Sequence, residues 1–200
     1  MLNMKIDDAI VQYRGICEVS EAPPFYQITS QLIESGHDES FENDSYFDAL
    51  CLTHVMLQRT FVGASVLTGS GASKFWSALS SPLEKCLTRL SLVGGKFRMI
   101  ALNVKDDLNY FKSLKEKFPN TFELVTAKAS SDVTHFIICD SRMVRVEELH
   151  PPLDTEDASD DLVKAKVNFN DPLGSKHHGS FFEAVWSKLN QKSAPVAATK

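Results

Sequence analysis

Apolar residues recur at helical spacing along the first 60 positions of the chain, which predicts three helices. The first ends before the Pro23-Pro24 pair, the second ends at Gly36, and the third starts after a cap at Asp44 or Ser45. The segment HDESFENDS, between the second and third helices, is polar and acidic and predicts a loop. The N-terminal part is therefore predicted to be mainly helical.

The pattern then changes to short apolar runs that alternate with helical segments. ASVLTGSG, KFRMIALNV and TFELVTAK predict three strands, while SKFWSALSSPLEKCLTRL and DDLNYFKSLKEKF predict the helices between them. Ser81-Pro82-Leu83-Glu84 has the spacing of a capping box, and Gly94 with the next glycine is expected to end that helix. Strands that alternate with helices in this order pair in parallel and carry helices on the sheet faces.

The C-terminal part adds antiparallel strands and a last helix. VTHFIICDSRMVRVEE predicts two strands joined by a tight turn at residues 140–142. Residues 151–161 contain five acidic residues and two prolines, which predicts an exposed loop, and GSFFEAVWSKL predicts the closing helix. The fold class that follows is α/β, with a mixed sheet of about five to six strands and helices on both faces.

The same patterns divide the chain into three parts. We predict a helical N-terminal extension over residues 1–45, an α/β domain over residues 46–190 and a disordered tail over residues 191–200. No apolar run approaches the roughly 18 residues that a membrane span requires. We therefore expect no span and a cytoplasmic protein.

Composition and charge narrow the classes of function. The chain has 200 residues, a hydrophobic share of 43% and a net charge of −5, as in an ordinary globular domain. A negative net charge gives no general attraction to nucleic-acid phosphates or anionic bilayers, so such binding would need a local basic patch. We expect no cofactor. Four cysteines lie far apart, without metal-site spacing, and predict buried free thiols: Cys17, Cys51, Cys86 and Cys139.

The order of elements and the C-terminal segment together carry a resemblance to a known family. In NFNDPLGSKHHGSFFEAVWSKL, Asp171-Pro172 precede a helix with Phe182 and Trp186 four residues apart. This segment resembles the end of many domains of the phospholipase D superfamily, and the match covers about residues 62–190. The resemblance implies one half of that fold, with a hairpin before the last helix.

Active members of that family carry His-x-Lys-x4-Asp on the hairpin and a Gly-Ser pair on the next strand. There the histidine attacks phosphorus and the lysine neutralises the phosphate oxygens. With Asp140 on the motif aspartate, the nucleophile position is Val133, the lysine position is His135, and the Gly-Ser pair is Glu147-Glu148. Placing His135 on the motif histidine instead leaves an isoleucine and an arginine at the lysine and aspartate positions. The motif is degenerate in both placements.

A three-residue turn at residues 140–142 would set His135 opposite Glu147, with Arg145 on the same face. A two-residue turn would send these partners to opposite faces. In the first register the candidate site residues are His135, Arg145 and Glu147, with Asp140 added by the motif. Two interpretations stay open: a small anion site or residual acid/base pair in which the histidine titrates near neutral pH, and an internally satisfied network that ties the hairpin to the core.

Two weaker candidates come from glycines and histidines. Gly69, Ser70 and Gly71 precede a helix, where backbone N–H groups can cradle an anion, although a plain strand-to-helix turn is the alternative. His177-His178 has no further ligands at metal-site spacing, so we predict no metal site, and an exposed loop is the expected place of the pair. A buried place in the core is expected for His54.

Three functions remain open on these observations. The first is a non-catalytic phospholipase D-like interaction, scaffold or ligand-sensing module that binds a protein partner or another copy of itself. The second is a phosphodiesterase or nuclease that acts as a dimer through His135. The third is a nucleic-acid-associated regulatory protein, such as a bacterial phage-defence accessory.

Overall fold

The computed structural model describes residues 4–20, 22–69, 72–103, 108–129, 133–151, 153 and 158–193. The helices in these ranges are α1 (Ile6–Ser20), α2 (Tyr26–Ser35), α3 (Tyr46–Gln58), α4 (Ala72–Ala78), α5 (Ser80–Val93), α6 (Asn109–Lys117) and α7 (Pro172–Ser193). The strands are β1 (Ser40–Asn43), β2 (Gly63–Thr68), β3 (Lys96–Leu102), β4 (Phe122–Ala127), β5 (Phe136–Cys139), β6 (Met143–Glu147) and β7 (Ala165–Asn168). None of the described helices is long and apolar enough to cross a bilayer.

One mixed sheet joins all of these strands in the order β1-β7-β6-β5-β2-β3-β4. The strands β2, β3 and β4 pair in parallel, because α4 and α5 form the first crossover and α6 forms the second. The other pairs are antiparallel. This arrangement confirms the α/β class with a mixed sheet, and its seven strands slightly exceed the expected number.

The two strands that the sequence did not indicate are β1 and β7. The first lies inside HDESFENDS, where a loop was predicted, and pairs with β7 from Ser40 opposite Asn168 to Asn43 opposite Ala165. As an edge strand with a mainly polar sequence, β1 shows little of the apolar alternation that marks a strand. The N-terminal region therefore supplies a strand to the same sheet.

Central strands are buried on both faces, so their sequences read as continuous apolar runs. Ile137 packs with the larger core under α1 and α3 to α6, whereas Ile138 packs with the smaller core under α7. On the α7 side, Phe182 and Trp186 stack at 5.4 Å between ring centroids, and the Arg98 guanidinium lies 5.2 Å from the Phe182 ring. Helices therefore cover both faces, as predicted.

The helical segment between β2 and β3 consists of two helices instead of one. The break falls at Leu79, which is completely buried, and Ser81 lies inside the first turn of α5. The capping box predicted at Ser81 and Glu84 is therefore wrong, because Leu79 precedes the helix and makes no side-chain cap. The position where α5 begins is therefore determined by burial of the apolar Leu79 and not by a polar cap. Gly94 ends α5 in the left-handed conformation, as predicted.

Two residues near the end of the acidic segment are buried, which corrects the exposed loop predicted over residues 151–161 at these positions, while Asp161 is exposed as predicted. Ala158 and Asp160 are buried, and an Asp160 carboxylate oxygen accepts a hydrogen bond of 2.9 Å from the Phe47 N–H at the start of α3. The Asp160 N–H in turn donates to the Met4 carbonyl. A carboxylate is stabilised at a helix N-terminus, where N–H groups lack partners.

The C-terminal end of the chain lies largely outside the described residues. Residues 191–193 continue α7, and the rest of the tail predicted over 191–200 is not among the described positions. The free thiols of Cys51, Cys86 and Cys139 are buried as predicted, while Cys17 is only half-buried.

The buried histidine predicted in the third helix is confirmed. His54 is 7% exposed, and its Nδ1 lies 2.9 Å from the Tyr13 hydroxyl. Burial lowers the pKa of His54 to about 4. The unfolded chain, where a histidine titrates near 6.5, therefore takes up this proton before the folded protein does.

We predict that stability falls as the pH is lowered from 7 to 5, and that His54 contributes about 2 kcal/mol of this loss. The sign follows because the pKa of His54 is lower in the folded than in the unfolded protein. Such a group stabilises the fold at pH values above its unfolded pKa, and this stabilisation is lost as the pH falls. Urea unfolding at pH 5, 6 and 7 measures it. The His54→Gln variant should lack this part of the pH dependence of the unfolding free energy. The His37→Gln variant, changed at an exposed histidine, should retain it. An equal pH dependence in wild type and His54→Gln would contradict the assignment.

Candidate functional site

The β5–β6 hairpin adopts the register with a three-residue turn. Ile137 pairs with Arg145 and Cys139 pairs with Met143, while the Glu147 N–H donates to the His135 carbonyl at 2.9 Å. The register places His135, Arg145 and Glu147 on one face of the sheet, as expected for the three-residue turn. The site residues predicted on the two strands therefore lie together.

Glu147 lies at the centre of this group. One of its carboxylate oxygens accepts a hydrogen bond from Arg145 Nη1, and the other lies 3.0 Å from His135 Nδ1 and 3.3 Å from His150 Nε2. We call these four residues the Glu147 cluster. The Arg145 side chain is 1% exposed, so its charge has to be neutralised inside the protein.

The electrostatics of the cluster follow from burial and pairing. Burial opposes ionisation of Glu147, but Arg145 and the hydrogen bonds from both histidines outweigh it and hold its pKa well below the usual range. Burial likewise opposes protonation of His150, yet its bonds to Glu147 and to the Pro151 carbonyl raise its pKa. The carboxylate of Glu147 is therefore ionised.

A small pocket opens beside the cluster. It has a volume of about 30 Å³, enough for a water-sized group, and His135, Glu147 and His150 line one side. Gly69 forms part of the wall, because a Cβ at this position would collide with the Cε1 and Nε2 atoms of His135. Of the glycine turn predicted to cradle an anion, Gly69 is thus at the site, while Ser70 and Gly71 lie outside the described residues.

Three buried donors near the cluster lack a hydrogen-bond partner among the described residues. They are the Tyr46 hydroxyl, the Trp76 indole N–H and Arg145 Nη2. Tyr46 and Trp76 also line the pocket. Since buried donors are normally paired, their position suggests that the pocket takes an oxygen-bearing group.

Asp140 is not brought into the cluster. It lies in the turn at the other end of the hairpin, where its carboxylate accepts hydrogen bonds from the Phe61, Val62 and Gly63 N–H groups at 2.7 to 3.1 Å. Its backbone is left-handed with φ 53°, as is that of Ser141 with φ 55°. In this position Asp140 ties the hairpin turn to the start of β2.

Sequence reasoning missed His150. It follows Glu147 by three residues in a segment without regular structure, so no periodicity directs it to the same face. The pair His177-His178 lies near the start of α7, which corrects the expected loop, and its rings contact each other at 5.1 Å. In the described part of the chain, His135, Glu147 and His150 form the one group with the spacing of metal ligands.

Two solved structures have an architecture similar to that of this chain. The structure is similar to that of TrmBL2, an archaeal chromatin protein with a novel mode of DNA binding, with a TM-score of 0.56, 16% identity and coverage of 91% of this chain. This chain spans 64% of the TrmBL2 chain. It is also similar to Nuc, a phospholipase D family member from Salmonella typhimurium, with a TM-score of 0.50, 13% identity, and coverage of 74% of this chain and 95% of that chain.

The fold is thus similar to that of a phospholipase D family member. At these identities the likeness concerns the fold alone. No protein-family model and no curated protein matches the sequence. Arg145 and Glu147 of the cluster lie on the β5–β6 hairpin, with His135 directly before it, and this hairpin is the element on which the resemblance expected the family motif.

We predict that Asp140→Gly destabilises the protein by about 2 kcal/mol, because three N–H groups lose a charged acceptor. Glycine tolerates the left-handed backbone, so the loss reports the carboxylate and not backbone strain. Ser141→Gly is the matched control, since Ser141 has the same backbone conformation and is exposed; it should be neutral or slightly stabilising. Urea unfolding measures both. Equal stabilities of the two variants would refute the role assigned to Asp140.

Proposed function

We propose that this protein is a non-catalytic, phospholipase D-like module that senses a small ligand and associates with another copy of itself. The observation that carries the proposal is the Glu147 carboxylate, which neutralises the buried Arg145 cation at the position where the family has its Gly-Ser pair. A phosphodiester would meet an anion there, and the cation that could attract it is already paired. Like charges at such short range in a buried site oppose binding strongly.

A further observation supports the absence of hydrolysis. Val133, at the nucleophile position when Asp140 is placed on the motif aspartate, packs against the apolar core that includes Phe182. Valine cannot form a phosphoenzyme.

A phosphodiesterase or nuclease that acts through His135 is the alternative, and a hydrolysis assay separates the two. Purified protein is incubated with bis(p-nitrophenyl) phosphate and with short DNA, with His135→Ala and the exposed His37→Ala prepared in parallel. We expect no turnover above background in any of the three. Turnover in wild type and His37→Ala that is lost in His135→Ala would overturn the proposal. Equal turnover in all three proteins that disappears on further purification comes from a contaminating enzyme, and the three proteins are compared after that step.

An exposed apolar patch supports self-association. Phe61, Val62, Leu92 and Val93 are 53%, 70%, 82% and 66% exposed. The patch is formed where α3 leads into β2 and α5 leads into β3, because Gly63 pairs with Lys96. Large apolar side chains grouped on a surface mark interaction sites. It lies at the end of the sheet where β2 and β3 begin, whereas the Glu147 cluster lies near the end of β2.

We predict that light scattering detects a concentration-dependent dimer, and that Leu92→Ser shifts it toward the monomer because the patch loses apolar area. Leu173→Ser is the matched control, since Leu173 is 80% exposed on α7 and outside the patch. A strict monomer over a wide range of concentrations would remove self-association from the proposal.

A nucleic-acid-associated regulatory function is a further alternative. The fold likeness to TrmBL2, whose structure shows a mode of DNA binding, favours it. The net charge of −5 gives no general attraction to phosphates, so a phosphate-dominated contact would need a local surplus of lysine and arginine. We therefore place it after the sensing and association role.

A further inference from the structure

We propose that His135, Glu147 and His150 form a binding site for a divalent transition-metal ion of the zinc class. The three ligand atoms lie within 4.8 Å of one another, on side chains that are each partly buried. Two imidazoles and one carboxylate are the donor set that such ions prefer, whereas calcium and magnesium prefer oxygen ligands alone. The inference rests on the proposed sensing function and identifies the small ligand as a metal ion.

The hydrogen bonds of His150 call for a cation between its ring and Glu147. Its Nδ1 lies 2.8 Å from the Pro151 carbonyl, and a carbonyl only accepts, so Nδ1 carries a hydrogen. In the neutral ring Nε2 then has a lone pair, which faces an oxygen of the ionised Glu147 at 3.3 Å. Two lone pairs at this distance repel. Either a second proton or a metal ion has to lie between them.

The spacing of the donors suits an ion. Ligand atoms at 2.0–2.1 Å from zinc and at the tetrahedral angle are about 3.3 Å apart. The observed separations from the Glu147 oxygen are 3.0 Å to His135 Nδ1 and 3.3 Å to His150 Nε2. These two separations match the spacing of ligand atoms around an ion of this size, and the two histidine nitrogens lie within 4.8 Å of each other.

Each ligand is also oriented by a second contact, as is typical of metal ligands. The Pro151 carbonyl orients His150, Arg145 holds the other oxygen of Glu147, and the close approach of Gly69 fixes the ring of His135. Contacts of this kind reduce the entropy that binding would otherwise cost.

The unpaired donors in the pocket fit the remaining coordination position. Three protein ligands leave a fourth position for water, hydroxide or a small anion. An oxygen bound there could accept from the Tyr46 hydroxyl and the Trp76 N–H, which line the pocket and lack partners among the described residues. The Arg145 charge opposes a bare cation and favours an anionic fourth ligand, which would lower the net charge of the site.

Calorimetric titration of the full chain, first stripped with EDTA, tests the proposal. We expect one ZnCl₂ to bind per chain with a rise in Tm, and MgCl₂ to give neither effect. His150→Gln should weaken zinc binding at least about tenfold, while His37→Ala and His177→Ala should leave it unchanged. Urea unfolding of His150→Gln in EDTA checks that the variant is folded. Cobalt substitution should give the intense visible absorption of a tetrahedral site, which His150→Gln should lose.

Absence of zinc binding, or equal affinity in wild type and His150→Gln, would overturn the metal site and leave a proton between His150 and Glu147. The hydrolysis assay, repeated with zinc-loaded and EDTA-treated protein, separates this result from failure of the proposed function. Zinc-dependent turnover that is lost in His150→Gln would support the metal site and overturn the non-catalytic proposal. Zinc binding without turnover would support both.

Discussion

The ion pair between Arg145 and Glu147 is the interaction on which the site and its surroundings depend. A guanidinium with 1% exposure is removed from water, so it needs charge neutralisation and hydrogen-bond acceptors inside the protein. Its Nη1 donates to Glu147, and its Nε donates to the Asn43 side chain at 3.2 Å. Asn43 ends β1 and donates to the Val163 carbonyl, so the same network reaches from the hairpin into the N-terminal strand.

The charge balance of this network also explains how the Glu147 cluster differs from a phosphate site. Catalysis of phosphoryl transfer needs a cation that is free to meet the developing negative charge. Here the Glu147 carboxylate already pairs with the Arg145 cation, and the two histidines contact the second oxygen of that carboxylate. In the proposed metal site, the cluster presents two imidazole nitrogens and one carboxylate oxygen to the ion, with the Tyr46 and Trp76 donors lining the same pocket.

Much of this could be predicted from the sequence, because the signals were local. The helical spacing before Gly36, the alternation of strands and helices, and the three-residue turn each depend on neighbouring residues, and the turn alone brought His135 and Glu147 together. The failures have two causes. β1 and the buried Asp160 owe their positions to contacts with distant parts of the chain, which local patterns do not encode. His150 is close to Glu147 in the sequence, but it lies in a segment without the periodicity that would direct it to the same face.

The burial of Arg145 has a consequence for how sequences of this kind can change. Replacing Glu147 by glycine or serine, as the active motif of the resemblance requires, would leave a guanidinium unpaired at a cost of about 3–5 kcal/mol, a large part of the stability of an ordinary domain. Introducing a lysine at position 135 first would place it against the same carboxylate, where its charge would be quenched. A change at residue 147 toward the motif therefore has to be accompanied by a new partner for the Arg145 guanidinium, or by replacement of Arg145 itself.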